Sequence, residues 1–263
     1  MILKDKVVMV AGIGPGLGVK VAINAAREGA RVVGVSCRTP AFLDEAEERI
    51  HAVAPNCKVV KAKADLVSEP EGQAFAAAVA AAAGRIDALV NSGRYGGKSW
   101  NDDVLTTDFE DWPYHFEVNT IGMLKMARAV VPQMRAQGGG SIVMINTNAA
   151  KTLAPGNVGG YAASKAGLVN ATRNFARAVG PFNIRVNSIH PSWMWNEPVI
   201  KSIEDNPHMG TLDEVYKHVA AGTALKRVMT DDEVSLAVLF LASDYSVSMT
   251  GASLDTNGGE WMP

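Results

Sequence analysis

VAGIGPGLGV, residues 10 to 19, places four glycines and one proline between two apolar runs. Glycine costs backbone entropy in helix and strand alike, and Pro15 cannot donate a backbone hydrogen bond, so neither element can run through the whole stretch. The run before it, KVVMVAG, is apolar and β-branched, whereas the run from about Gly16 to Glu28 is helical in pattern and stops at Gly29. The quoted stretch therefore turns a strand into a helix. Gly12, Gly16 and Gly18 give G-x-x-x-G-x-G at this turn. Bare backbone there can approach a pyrophosphate closely, and the helix N-terminus supplies amide donors and a favourable dipole. An ordinary strand-to-helix turn is the competing reading, and a βαβ setting strengthens the dinucleotide one.

That setting is visible further along the chain. β-branched runs recur at residues 30–36 (ARVVGVS), 57–66 (CKVVKAKADL), 86–93 (IDALVNSG), 140–147 (GSIVMINT), 184–191 (IRVNSIHP) and 251–259 (GASLDTNGG). Helical patterns lie between them: Ala41 to Ala54 before Pro55, Glu69 to Ala83 closing at Gly84, and Tyr161 to Val179 stopped by Gly180-Pro181. Near-continuous apolar strands separated by helices indicate a parallel sheet covered on both faces. The expected fold is α/β: one Rossmann-like, doubly wound domain over residues 1–263, with a mainly parallel, seven-stranded sheet. Glu197 to Lys226 interrupts the alternation where open α/β sheets bind ligands, and reads as an inserted lid. Pro198, Pro207, Met209 and Gly210 give that lid an irregular, movable character.

Composition narrows the class of partner. With 25 basic against 27 acidic residues and a net charge of −2, the chain has no electrostatic footprint for nucleic acid or an anionic membrane. A hydrophobic content of 48% is ample for a sizeable core. Cys37 and Cys57 are too few for a disulfide framework, which suits a reducing cytoplasm. MILKDKVVMV enters a strand-like run without the pattern of a leader, and the longest apolar run, Ala74 to Ala83, has ten residues, short of a membrane span. His190, His208 and His218 have no metal-ligand spacing, and His190 reads as a strand-end packing residue.

The end of the second strand should report the dinucleotide. An acidic residue there would bind the NAD ribose, but the chain offers Ser36, Cys37 and Arg38. Arg38 can pair with the extra phosphate of NADP, so NADP is preferred and NAD is the alternative. In YAASKAGL, Tyr161 and Lys165 stand four apart and project from one helix face. An ammonium beside a phenol favours the phenolate, making Tyr161 a usable acid or base, although such pairs on a surface helix are usually inert.

These motifs, in this order, resemble the classical short-chain dehydrogenase/reductase family over essentially the whole chain. The glycine turn, Asn91-Ser92-Gly93, Val118-Asn119-Thr120-Ile121-Gly122, a hydroxyl residue after the fifth strand and Y-x-x-x-K carry the resemblance. It implies that Tyr161 exchanges a proton with the substrate oxygen while Lys165 lowers its pKa and holds the nicotinamide ribose. Asn119 would hold the active-site helix and a water relay to the lysine. Asp65 would lie beside the adenine, and Asn91 and Gly93 would close the adenine side of the cleft. The family's serine after the fifth strand is replaced within INTNAAKT by Thr147 or, counting back from the tyrosine, Asn148; Thr147 is preferred because it both donates and accepts. Ala11, Arg94, Ser192 and Asn196 depart from the pattern: Arg94 and Ser192 replace glycines, and Asn196 stands near a threonine that bonds the carboxamide.

The resemblance implies an oxidoreductase that interconverts a small-molecule secondary alcohol and a ketone, assembled as a homotetramer or homodimer. A catalytically inactive nucleotide-binding regulator or scaffold is the alternative, motivated by the altered serine region. Reduction of a carbon-carbon double bond is disfavoured by the short tyrosine-to-lysine interval. Tyr95, Trp100, Trp193, Met194 and Trp195 fall where substrate should lie. They either wall a pocket for a bulky cyclic or aromatic substrate, or pack a lid or a subunit contact.

Overall fold

The computed structural model describes residues 1–97, 103–153 and 158–262. Its first half runs β1 (Val7–Ala11), α1 (Leu17–Arg27), β2 (Val32–Cys37), α2 (Pro40–Val53), β3 (Lys58–Lys63), α3 (Glu69–Ala83) and β4 (Ala88–Asn91). The next part holds α4 (Trp112–Phe116), a π-helical turn (Glu117–Gly122), α5 (Met123–Ala136), β5 (Gly140–Ile145), α6 (Gly159–Val179) and β6 (Ile184–Pro191). After these come α7 (Glu197–Glu204), α8 (Leu212–Gly222), α9 (Asp231–Ala242) and β7 (Ser253–Thr256). The seven strands form one sheet in the order β3-β2-β1-β4-β5-β6-β7. Every pairing is parallel, so the sheet is parallel throughout rather than mainly so.

The apolar runs follow from burial on both faces. Val8, Val10, Val33 and Val35 point into one core with Val21, Leu43 and Val238 of α1, α2 and α9. Their chain neighbours Val7, Met9, Ala11 and Val32 point into the other, against Phe75, Met126 and Leu168 of α3, α5 and α6. Successive residues of a strand face opposite sides, and with both sides dry no polar alternation survives. Order reverses between β2-β1 and β1-β4, which opens the crevice at the carboxyl ends of these strands.

The segment 197–226 differs from the irregular lid expected of it. Most of it is helical, because its prolines sit where a helix begins: Pro198 lies in the first turn of α7 and Pro207 opens a 3-10 turn. A first-turn residue needs no backbone donor, so proline starts a helix there instead of breaking it. Asn196 caps α7, its Oδ1 accepting from the Val199 amide at 3.0 Å, and Thr211 and Glu214 form a reciprocal capping box on α8. Among the described residues no helix is long and apolar enough to cross a membrane.

Candidate active site

The glycine turn leaves β1 with Gly12 in a left-handed conformation, φ +83°. A Cβ on Gly12 would stand 2.3 Å from both the Cα and the amide nitrogen of Gly93, so the turn and the loop after β4 touch backbone to backbone. The amides of Gly12 and Ile13 donate to the Ser36 carbonyl at the end of β2, at 2.8 and 3.0 Å. Gly18 is confined less tightly, since a Cβ there would lie 3.0 Å from Ser92 Oγ and 3.1 Å from the Gly12 carbonyl oxygen. Gly16 is the N-cap of α1, which has no side-chain cap and no acidic residue in its first turn. No acidic side chain of the helix itself competes for those amides, which suits a pyrophosphate, and the nearest carboxylate is Asp231, 3.7 Å from where a Gly16 Cβ would stand.

Neighbouring strand ends supply the remaining candidate cofactor residues. Ser36 is 1% exposed, and its Oγ has no partner among the described residues. Arg38 is 65% exposed at its side chain and lies 3.9 Å from the Asp65 carboxylate. Asp65 also accepts from the Val67 amide at 3.2 Å. Asn91 donates to the Met123 carbonyl at 3.0 Å, locking β4 to the start of α5.

On α6 Tyr161 stands beside Thr147, close enough for the Thr147 side chain to favour its phenolate. Thr147 follows β5 and caps a short 3-10 turn, with its Oγ1 accepting from the Ala149 amide at 3.3 Å. Asn148 is turned away, donating to Glu260 at 3.2 Å, so the structure brings Thr147 rather than Asn148 to the tyrosine. Burial raises the Tyr161 pKa above the usual phenol value, opposed by the charge of Arg94 and by Thr147. Lys165 is 1% exposed, and its Nζ donates to the Ile145 carbonyl at 2.8 Å. Burial first and Arg94 second push its pKa down to about 7. Arg94 is a cation that favours the Tyr161 phenolate, and the Lys165 head is bonded to the Ile145 carbonyl.

Backbone contacts hold Arg94 in place. Gly93 before it rests on Gly12, and Tyr95 after it pairs its N–H and C=O with the Asn119 amide at 2.7 and 2.9 Å. Asn119 is fully buried and sits in the π turn, a local widening that often marks a functional position. Its Nδ2 also donates to Ser164 Oγ at 3.0 Å, which ties the loop after β4 to α6 one residue before Lys165.

Two supporting roles escaped the sequence reading. Asn146 donates to the Lys165 carbonyl at 3.2 Å and accepts from the Thr147 amide at 2.9 Å. His190 on β6 has its Nδ1 on the Thr147 carbonyl at 3.1 Å and its Nε2 on Ser188 Oγ at 2.8 Å. Burial, with Lys151 nearby, lowers its pKa to about 4. The neutral ring must donate from Nδ1 to the carbonyl and accept at Nε2, so His190 fixes the backbone of Thr147 rather than merely packing. Its place on the strand paired with β5 was the available signal.

Two of the expected pocket aromatics, Tyr95 and Trp195, are engaged in packing. Tyr95 donates to Asp111 at 2.8 Å and meets Tyr114 edge-on, Trp195 meets Tyr216 of α8 edge-on, and Met194 bridges to Met229. Trp100 lies outside the described residues. Asn196 is likewise committed to capping α7, with its Nδ2 on buried Asp231 at 2.9 Å, rather than open to a carboxamide.

A family model described as enoyl-(acyl carrier protein) reductase matches residues 12–260. A Rhizobium meliloti (strain 1021) protein named "Probable galactose dehydrogenase" is 32% identical over 266 residues, covering 98% of this chain and 95% of that one. Among solved structures, a short-chain type dehydrogenase/reductase from Mycobacterium ulcerans has a TM-score of 0.87 at 27% identity, covering 98% of this chain and 90% of its own. L-sorbose reductase from Gluconobacter frateurii, solved with NADPH and L-sorbose, has a TM-score of 0.90 at 25% identity, covering 99% and 98%.

Proposed function

Since the chain belongs to the short-chain dehydrogenase/reductase family and is an NAD(P)-dependent oxidoreductase, we propose that it interconverts a secondary alcohol and a ketone of a small molecule. The observation that carries this reading is Tyr161 beside Thr147, one helix turn from the buried Lys165. The bound nicotinamide would supply or take up hydride. In the reducing direction Thr147 positions the substrate oxygen and Tyr161 gives it a proton. The phenolate left behind is favoured by Arg94 and by Thr147. Asn119, Asn146 and His190 hold these groups through α6, Lys165 and the Thr147 backbone. The family model's description names reduction of a carbon-carbon double bond, but a tyrosine beside a threonine hydroxyl suits an oxygen atom better. Nicotinamide absorbance followed with a panel of ketones and alcohols tests the reading; tight cofactor binding with no turnover across the panel would instead favour the inactive regulator.

NADP is the proposed cofactor, supported by exposed Arg38 and the absence of a carboxylate at residues 36–38. Arg38→Ala should weaken NADPH binding by ~10- to 100-fold, the worth of a charge-assisted hydrogen bond, and NADH binding by less than about threefold. Equal losses in a fluorescence titration would remove Arg38 from phosphate recognition.

Arg94 gives a second expectation. Its positive charge lowers both the Tyr161 and Lys165 pKa values, so Arg94→Gln should raise both. Alcohol oxidation requires a proton acceptor, so the limb of the pH profile that rises with pH should move to higher pH. A profile that stays in place would exclude Arg94 as the governing charge. Exposed apolar side chains at Leu225, Leu236, Tyr245 and Val247 support the homotetramer or homodimer reading.

A further inference from the structure

Thr147 and Lys151 cap the two ends of the short 3-10 turn Asn148–Ala150, and each end is held by the strands beside it. At the first end the Thr147 carbonyl accepts from His190 Nδ1 at 3.1 Å as well as from the Ala150 amide at 3.2 Å. At the far end Lys151 Nζ donates to Asp255 Oδ1 at 2.6 Å. His190 on β6 and Asp255 on β7 are register partners, so one rung of the sheet grips both ends of the turn. Between them Asn148 donates to Glu260 at 3.2 Å and accepts from Asn257 at 3.4 Å. The turn follows β5, but these anchors come from β6, β7 and the residues after β7.

The grip reaches the reacting hydroxyl through a single bond. Thr147 Oγ1 accepts from the Ala149 amide at 3.3 Å, so the backbone of the turn fixes the side chain that stands beside Tyr161. Hydrogen bonds of a 3-10 turn are poorly aligned, and its shape depends on what holds its ends. The ion pair at the far end is sheltered: the Lys151 side chain is 14% exposed and that of Asp255 20%, and the ammonium lies 5.3 Å from the centre of the Trp261 ring. Removing one partner of a sheltered pair leaves the other desolvated and unpaired, so the turn cannot keep its place when either is lost. Both charges also reach the His190 ring, Lys151 lowering its pKa and Asp255 raising it.

We infer that Lys151 and Asp255 are positioning residues, whose ion pair acts with His190 to set the turn so that the Thr147 hydroxyl meets the substrate oxygen at Tyr161. Each acts through the backbone of the turn. The inference rests on the alcohol–ketone reading proposed above, and it makes the reaction depend on β7, the edge strand of the sheet.

The test is a double-mutant cycle of Lys151→Met, Asp255→Asn and both together, using NADPH-dependent reduction of the fastest ketone of the panel at a temperature where circular dichroism shows each variant folded. Each single variant should lower kcat by ~10- to 100-fold, the cost of a reacting group misplaced by about 1 Å, with KM and NADPH affinity within about threefold of the wild type. The double variant should lose no more than either single, because the two residues share one interaction. Asp255→Glu, which keeps the carboxylate, should recover most of the loss. Should one single variant fail to fold, the other, compared with Asp255→Glu, decides. Unchanged kcat, losses that multiply in the double variant, or a fall in NADPH affinity as large as that in kcat overturns the assignment and leaves the oxidoreductase reading intact. A second arm needs no turnover: NMR of isotope-labelled histidine rings follows exchange of the His190 Nδ1 proton with water, which reports its bond to the Thr147 carbonyl. Lys151→Met removes a positive charge and Asp255→Asn a negative one, so their direct electrostatic effects on the ring oppose each other. Faster exchange in both variants therefore reports a loosened turn and supports the inference; exchange that is unchanged, or that moves in opposite directions, overturns it. Faster exchange in both, with no ketone or alcohol turned over by the wild type, would keep the clamp on Thr147 and sink the alcohol–ketone reading.

Discussion

Tyr161→Phe should lower kcat/KM by ~10²- to 10⁴-fold in either direction, the usual worth of a positioned acid or base, while NADPH affinity and Tm stay close to the wild type. The substitution removes one oxygen from a partly exposed residue, and Thr147 keeps the Ala149 amide as its partner. Little else in the fold depends on that hydroxyl. The result would also separate two proton carriers. Lys165, with a pKa lowered to about 7 by burial and Arg94, is by itself a group suited to proton exchange near neutrality. If the phenylalanine variant kept more than a tenth of its activity, Tyr161 would lose its role and Lys165 would become the leading candidate. Near-complete loss with intact cofactor binding would leave the lysine to hold and orient.

The second large effect is expected at the first turn. Gly12→Ala places a methyl 2.3 Å from backbone atoms of Gly93 at a left-handed φ of +83°. Neither partner is a flexible side chain that can swing aside. Left-handed strain of ~1–2 kcal/mol and overpacking of ~1–3 kcal/mol should together cost about 3 kcal/mol. For a chain of this size that corresponds to a fall in Tm of about 10 °C. Displacing Gly93 also moves Arg94, so NADPH binding should fall with stability. Gly14→Ala provides the contrast, because a Cβ there meets nothing within 4 Å. Equal melting temperatures and equal NADPH affinities in the two variants would show that the Gly12–Gly93 contact does not shape the cleft.

What the sequence could disclose depended on how far each interaction reaches along the chain. The sheet was legible because burial on both faces writes continuous apolar runs such as Val7 to Ala11. Tyr161 and Lys165 were legible because one helix turn relates them, and Gly12 because local backbone geometry demands glycine. Arg94 could be marked as a departure, but its action on Tyr161 arises only when the β4 loop is pinned by Asn119. The bond from His190 to the Thr147 carbonyl was hidden for the same reason. It joins residues far apart in sequence and belongs to no local pattern. The prolines of α7 and the following turn misled because a breaker inside a helix is a starter at its first position.

The strand order has a kinetic consequence. β1, β2 and β3 can pair with one another early, since only α1 and α2 separate them, but β1 keeps an open edge until β4 docks beside it. The floor of the cleft is closed by that docking, when Gly93 arrives against Gly12. Long-range parallel pairing is slow because chain entropy is lost before the contact forms. Nucleotide affinity therefore returns late in refolding, after most helix and strand have formed, and a chain stalled before that step presents an unpaired edge strand open to aggregation.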